Sequence, residues 1–248
     1  MAGLLLSSPA ALARKLDFKD AKVGVYLGGT IGTSNIQKTP FSGAMPTTVS
    51  YPDYNGANYG YSGLLGVNFS MQNTMSVKLG VEILYGSKAL DVEGKNEAGT
   101  VLLSETSEVL GINPEVMVEV HLKRGDKARL SVGVGGGYLT STIKNQVAMT
   151  AAGVTALGVN SYIEEGGGNT FSGKAFGNFE FIFVDNVSFV IQAGYRYAKV
   201  YEYKHTRNAT TPIGTVASGD QMRNADGSAR QVDFSGAYGG AQLIFWMW

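Results

Sequence analysis

Cysteine is absent from the chain, which excludes disulfides, thiolate metal sites and cysteine nucleophiles together, while leaving the redox compartment open. Histidine is nearly absent: with only His121 and His205, a multi-histidine zinc site is not expected, and neither is any other metal or cofactor. Charge is scarce. Only 16 % of the 248 residues are Asp, Glu, Lys or Arg, against about a quarter in ordinary soluble domains. The 20 acidic residues balance the 20 basic ones, so the chain is neither a basic nucleic-acid binder nor a disordered polyelectrolyte. Long apolar runs are also missing. The long uncharged stretch from Asn145 to Ile163 is interrupted by asparagine, glutamine, threonine and glycine, so no transmembrane helix is expected.

What the chain has instead is glycine, 34 residues or about twice the usual share, and 44 % hydrophobic residues. At the N-terminus Leu4, Leu5 and Leu6 open an apolar stretch that closes on Ala11, Leu12 and Ala13, ahead of Arg14 and Lys15. Small residues at such a junction are what a signal peptidase cuts, so residues 1–13 read as the remnant of a secretory signal and 14–248 as one domain. An exported chain without an anchoring helix belongs in the periplasm, the medium or the outer membrane.

Period two decides among these. Val23, Val25, Leu27 and Ile31 alternate with small or polar residues, the mark of a strand with one apolar face. The pattern returns in seven further segments. They carry Tyr59, Tyr61, Leu65, Val67 and Phe69; Val77, Leu79, Val81, Ile83 and Tyr85; Ile112, Val116, Val118 and Val120; and Leu130, Val132, Val134 and Tyr138. Phe171, Phe179, Phe181 and Phe183 follow, then Val187, Phe189, Ile191, Tyr195 and Tyr197, and finally Phe234, Tyr238, Ile244, Trp246 and Trp248. No segment reads as a good amphipathic helix.

The connections alternate in length. Short turns lie at Gln72 to Thr74, Lys123 to Lys127 and Asp185 to Asn186, and long loops at Ile36 to Asn58, Asp91 to Thr100, Asn145 to Asn169 and Lys204 to Arg230. An even strand count, short turns at one end and long loops at the other is the layout of an outer-membrane barrel. The second face of each strand is mostly glycine, serine and alanine with isolated charges: Lys78, Glu82, Glu115, Glu119, Arg129, Lys174, Glu180 and Arg196. Four cations and four anions can compensate one another in a narrow lumen. The apolar face carries no mid-strand charge, as lipid requires. Aromatics should form two interfacial girdles: Tyr59, Tyr61, Tyr85, Tyr138, Tyr195 and Tyr197 at the long-loop ends, and Phe69, Phe183, Phe189, Trp246 and Trp248 at the short-turn ends. Lys199 is placed to snorkel among Tyr195, Tyr197 and Tyr201. Pro114 removes a ladder donor from its strand, so a bulge is expected there.

At the C-terminus Ile244, Trp246 and Trp248 alternate, which resembles the terminal strand signal by which outer-membrane barrels are recognised for assembly. The stretch from Lys15 to Trp248 resembles the OmpA-like and OmpX-like eight-stranded outer-membrane barrels of Gram-negative bacteria, surface proteins and adhesins among them. That resemblance is architectural and rests on no family-specific motif. It implies an all-β, antiparallel up-and-down transmembrane barrel with short periplasmic turns and long extracellular loops. It also implies outer-membrane lipids, lipopolysaccharide and the barrel assembly machinery as partners, a monomeric state, and no nucleic acid.

Catalytic chemistry is thin. His121 is expected in the lumen, bonded to Glu119, Arg129 or water. His205 stands at the foot of the last long loop, where a barrel enzyme acting on lipid A or on proteins would work; Glu202 is its carboxylate within reach along the strand, with Asp220 and Asp233 as further candidates. Gly133, Gly135, Gly136 and Gly137 lack the lysine and helix of a phosphate loop and read as close backbone packing. Gly166 to Gly168 read as a flexible loop tip beside Glu164 and Glu165, and the Asp220, Asp226 and Glu164 carboxylates lack the spacing of a calcium loop. The loops remain, with Phe41, Tyr51, Tyr54 and Tyr162 as candidate contact residues. The reading is a non-enzymatic surface barrel, a structural membrane protein, adhesin or antigen, whose extracellular partner the sequence does not name. The alternatives are a narrow porin-like channel for ions or small apolar molecules, or a barrel enzyme using His205.

Overall fold

A strand with one oily and one small polar face can satisfy both faces in a bilayer only by curling, with the oil outward and every backbone group paired. The computed structural model describes residues 22–34, 45–46, 48–51, 59–71, 74–87, 92–184, 186–224 and 227–247, and it shows that closure. In chain order the elements are β1 (Val23–Thr33), β2 (Tyr59–Met71), β3 (Met75–Ser87), β4 (Val92–Lys95), β5 (Val101–Arg124), β6 (Ala128–Met149), α1 (Ala151–Leu157), β7 (Tyr162–Val184) and β8 (Val187–Tyr197). Then come β9 (Lys199–Val200), β10 (Lys204–His205), β11 (Ala209–Thr211), β12 (Gly214–Val216), β13 (Val232–Asp233) and β14 (Gly236–Met247). Strands β1, β2, β3, β5, β6, β7, β8 and β14 pair antiparallel with their neighbours in that order, and β14 pairs back onto β1 from Val23↔Met247 to Gly32↔Tyr238. The result is a closed, eight-stranded up-and-down barrel.

Its register can be followed round the ring. Gly32 lies opposite Tyr238, then Gly194, Phe176, Gly133, Glu119, Ser76 and Ser70, and Ser70 donates its N–H to the carbonyl of Lys22. The path returns to the first strand ten residues from where it left, so the strands must tilt by roughly 35–45° to the barrel axis. Such a small cylinder closes because large inward side chains lie against inward glycines. A Cβ at Gly66 or Gly80 would strike the Tyr26 phenol, and one at Gly133 would come within 2.6 Å of the Phe176 ring.

Outside, the strands carry Leu27, Ile31, Leu65, Leu79, Ile83, Ile112, Val116, Val120, Val132, Val134, Phe179 and Ile191, all exposed. Between Ile112 and Leu122 on β5, and at every outward position of β14 from Ala237 to Met247, the outer face has no charge. Exposed apolar surface of this extent belongs against acyl chains. No helix is long and apolar enough to cross a membrane.

Strand lengths divide the ring. Strands β1, β8 and β14 have 11, 11 and 12 residues, whereas β5, β6 and β7 have 24, 22 and 23. The ten or so surplus residues carry one side of the wall about 25 Å beyond the rest. This head sheet is edged by β4 on β5 and by β10 on β7, and residues 198–224 and 227–234 fold against its inner face. At its tip α1 starts where the Thr150 hydroxyl accepts the Gly153 N–H at 3.0 Å, and it stops at Gly158 with φ 70°.

Several expectations change. The segment Asn145 to Asn169 is not a long loop, because β6 and β7 stay paired up to Val147↔Tyr162. Its outward residues above the membrane are polar, which erases the hydrophobic alternation without ending the strands. Asp91 to Thr100 and Lys204 to Arg230 likewise contain the short strands β4, β10, β11 and β12, and most of Ile36 to Asn58 lies outside the described residues. Pro114 makes no bulge: pairing with β6 skips Asn113 and Pro114 and resumes in the same register, while Pro114 still faces Val81 on β3. The bulge in β5 is at His121/Lys123. The apolar face assigned to the last strand is inverted. Tyr238, Ile244 and Trp246 are buried inward, and Leu243, Phe245 and Met247 face out. Both faces of β14 are apolar, so hydrophobicity could not orient it; inward Gly24 and Gly28 on β1 leave the room that Trp246, Ile244 and Gln242 fill.

Candidate functional site

Inward parity places Lys78, Glu82, Glu115, Glu119, Arg129, Lys174, Glu180 and Arg196 inside the barrel, each at most 8 % exposed, and the register brings opposite charges together. Nearest the short turns, Arg129 Nε meets Glu180 at 2.6 Å. Ser188 donates to the same carboxylate and accepts the Trp246 indole N–H at 2.9 Å, while the Arg129 guanidinium lies 5.1 Å from the Trp246 ring centre. Higher up, Lys78 Nζ meets Glu119 at 2.6 Å, and Asn178 donates to that carboxylate at 2.7 Å. Near the long-loop end Glu82 bridges Arg196 at 2.7 Å and Lys174 at 3.5 Å, and Lys174 also meets Glu115 at 2.6 Å. Lys78 and Arg196 face the rings of Tyr26 and Tyr238. Burial makes each charge costly alone, so the pairs lock one another in place.

These contacts crowd the lumen among the described residues. The space between Glu82, Asn113, Glu115, Lys174 and Arg196 is too narrow for a water molecule. Tyr26, Leu64, Met117, Phe176, Val190, Tyr238, Ile244 and Trp246 pack as one apolar cluster around the ions. Above it a second cluster seals the mouth, in which Val200, Tyr203, Met222, Val232 and Phe234 of the 198–234 segment cover Leu84, Val109, Leu139 and Ile143 of the wall. The triple glycine Gly166 to Gly168 is strand, not a flexible tip. A Cβ at Gly166 would strike the Met222 sulfur, and one at Gly168 would approach the Glu202 carbonyl at 2.5 Å. Those glycines are the floor on which the covering segment lies.

A polar group that the sequence reading missed sits between the mouth seal and the apolar tip cluster of Met45, Val49, Leu102, Leu103 and Val147. Glu105, Glu164 and Arg230 are each buried there, with Tyr51 donating to Glu105 at 3.2 Å and Asn145 to Glu164 at 3.3 Å. Burial pulls the Arg230 guanidinium below its ordinary value, and Glu164 and Glu105 oppose that pull; burial also pushes the Tyr162 phenol up, with the same two carboxylates adding to it. Parity could have found this group. Glu105 lies in phase with Glu115 and Glu119, and Glu164 with Lys174 and Glu180, once β5 and β7 are drawn at full length.

The candidate residues fall as follows. His121 is half-buried with Nδ1 2.8 Å from the Ser131 hydroxyl and Nε2 3.0 Å from that of Ser76, and Arg129 Nη1 is 3.4 Å away; Glu119 pairs elsewhere. His205 is buried, and its carboxylate is Glu164 at 3.6 Å. Glu202 is exposed and Asp220 binds the Ala217 N–H, so the partners expected for His205 are not the ones it has. Tyr51 and Tyr162 are partly buried and pack against the tip cluster of the head, while Phe41 and Tyr54 lie outside the described residues. Ile244 and Trp246 point into the lumen, so Trp246 leaves the short-turn girdle; Trp248 and the 1–13 segment are outside the described residues. Among those residues no cluster of three metal-ligating side chains occurs.

No protein-family model matches the chain, and no curated protein gives a significant match. Solved structures with a similar layout do exist. OprG, an outer membrane protein of Pseudomonas aeruginosa, is 12 % identical over 93 % of this chain and 99 % of its own, with a TM-score of 0.44. The neisserial surface protein A, NspA, is 8 % identical over 90 % and 96 %, and Ail, the attachment invasion locus protein of Yersinia pestis, is 12 % identical over 91 % and 99 %, both with a TM-score of 0.41. The assignment of the fold rests on the closed pairing itself: eight strands in chain order with tight turns at one end, the architecture of the OmpA-like and OmpX-like barrels.

Proposed function

We propose that the protein is a non-enzymatic surface barrel of a Gram-negative outer membrane, a structural component or adhesin. In this reading residues 1–13 are the end of an export signal, 14–248 the barrel domain, the short turns periplasmic and the head extracellular. Outer-membrane lipids, lipopolysaccharide and the assembly machinery are its partners, with Ile244, Trp246 and Trp248 as the assembly signal, and it acts as a monomer. One observation carries the reading: the interior is closed twice, by ion pairs in the lumen and by the 198–234 segment over the mouth, while three strands continue into a rigid sheet above the wall. A plugged cylinder with a built platform suits contact better than passage. His205 is enclosed beside a buried carboxylate and away from solvent, which favours a structural role for it over catalysis.

The test is to replace residues 92–100, 151–158 and 207–229 in turn by short turns, keeping the barrel strands, and to assay cell adhesion, conductance in planar bilayers and the lipid A profile. Lost adhesion with no conductance in any form is the expected result. Steady conductance by the intact protein would establish the channel instead, and an altered lipid A profile on His205→Ala would establish the enzyme.

A further inference from the structure

The outward face of the head sheet is the same face, on the same strands, that meets lipid below. On β5 the outward series runs Val116, Ile112 and Leu110 and then Glu108, Thr106 and Ser104; on β6 it runs Val134 and Tyr138 and then Thr140, Thr142, Lys144, Gln146 and Ala148. The switch from apolar to polar falls between Leu110 and Glu108 on β5 and between Tyr138 and Thr140 on β6, and above Leu110, which pairs with Thr142, the outward face is polar on both strands, Glu108 pairing with Lys144. Above a charged row of Glu108, Lys144 and Glu165, adjacent across β5, β6 and β7, the face hollows into a cleft of about 430 Å³ lined by Ser104, Thr106, Gln146, Ala148, Ser161 and Ile163, with Val147 and Tyr162 at its back.

The chemistry of this cleft is specific. It has no charged lining residue; the Ser104, Thr106 and Ser161 hydroxyls border it, the last accepting the Met149 N–H at 2.9 Å, together with the Gln146 amide and an apolar floor of Ala148 and Ile163. Its volume falls in the range of about 300–1,000 Å³ typical of small-molecule sites. An uncharged polyol matches such a lining, donating and accepting hydrogen bonds on its edges and laying its C–H face on the floor, whereas a phosphate would find no cation in the cleft. Height selects among polyols. Gln146 is eight residues above the girdle residue Tyr138, which at the strand rise and tilt is about 20 Å above the interface. That is the layer that the sugar headgroups of outer-leaflet glycolipid occupy beside a barrel wall.

We infer that this cleft is a binding site for the neutral core saccharide of the glycolipid packed around the barrel, so that the lipid is held by its acyl chains on the lower wall and by its sugars on the head. The inference rests on the outer-membrane reading above and deepens it. The experiment uses the refolded full chain in detergent, titrated with delipidated core oligosaccharide and followed by the side-chain amide resonances of Gln146 and by calorimetry. Saturable binding is expected, weakened at least tenfold in both Gln146→Ala and Ala148→Trp; the second variant fills the cleft from an exposed position, and both are checked for folding by heat-modifiable gel migration. No saturable response, binding unaffected by Ala148→Trp in a folded barrel, or a response to soluble glycans unrelated to the core with none to the core itself would each overturn the inference. Failure of the outer-membrane reading is seen separately, as a protein that fractionates away from the outer membrane whatever it binds in detergent.

Discussion

The lumen and the head share the inward faces of β5, β6 and β7, yet they solve burial differently. In the lumen the four cations and four carboxylates considered above meet one another directly, and aromatic rings fill what is left. In the head the inward face is mainly apolar, and its few charges, Glu105, Glu164 and Arg230, sit as a thin layer between two apolar clusters. The difference follows from what surrounds each part. Within the bilayer the outer face must be oil, so polar residues needed for specificity can only go inside; above it the outer face is wet, and the inside can be a conventional core.

The largest effect should come from leaving a lumen charge alone. Glu82→Ala strips both Arg196 and Lys174 of a carboxylate and should cost about 3–5 kcal/mol of barrel stability in denaturant unfolding from lipid vesicles. In the head, Glu164→Ala should expose residues 198–234 to protease while the heat-modifiable barrel persists. If both variants unfolded the barrel equally, the two regions would be one cooperative unit and the contrast would fail.

Next is the outer face. Val81→Lys puts a charge in the apolar belt and should cost about 2–4 kcal/mol, whereas Thr142→Lys on the same face above it should stay within about 0.5 kcal/mol. Equal costs would mean that the polar switch between Tyr138 and Thr140 on β6 is not the edge of the bilayer.

Glycines sharpen the contrast of inside with outside. Gly80→Ala drives a methyl into the Tyr26 phenol and should cost about 1–3 kcal/mol. Gly63→Ala, outward with nothing within 4 Å of the added carbon, should cost nothing measurable. A modest effect is expected at the end of β14, where Trp246→Phe removes the hydrogen bond to Ser188 and should cost about 1 kcal/mol in the same unfolding assay; assembly failure far beyond that loss would support the terminal residues as a signal.

The barrel was legible because lipid writes a clean code: charge-free alternation on one face of segments such as Val77 to Tyr85. The same code misled wherever its conditions lapsed. Above the membrane Thr140, Thr142, Gln146 and Asn169 carry the outward face of paired strands, so a continuous hairpin read as a loop. On β14 the lumen takes Trp246 and Ile244, and Gln242 alone among its polar residues marked the inner face. The buried group around Arg230 was invisible for the first reason. Its carboxylates were in phase with the lumen charges, but on strands drawn too short.

The most direct test of a single inward phase running from the short turns to the tip is accessibility along β5 and β14, for which a chain without native cysteine is well suited. Single cysteines at each position from 103 to 120 and from 237 to 247, spin-labelled in lipid, should alternate strictly. On β14 Leu243, Phe245 and Met247 should meet the lipid-soluble relaxant, and Gln242, Ile244 and Trp246 neither relaxant. On β5 the even-numbered positions should be the accessible ones throughout, passing from lipid at Ile112 to water at Glu108 without a change of phase. An inverted phase on β14, or a phase slip in β5 between Leu110 and Glu108, would contradict the account.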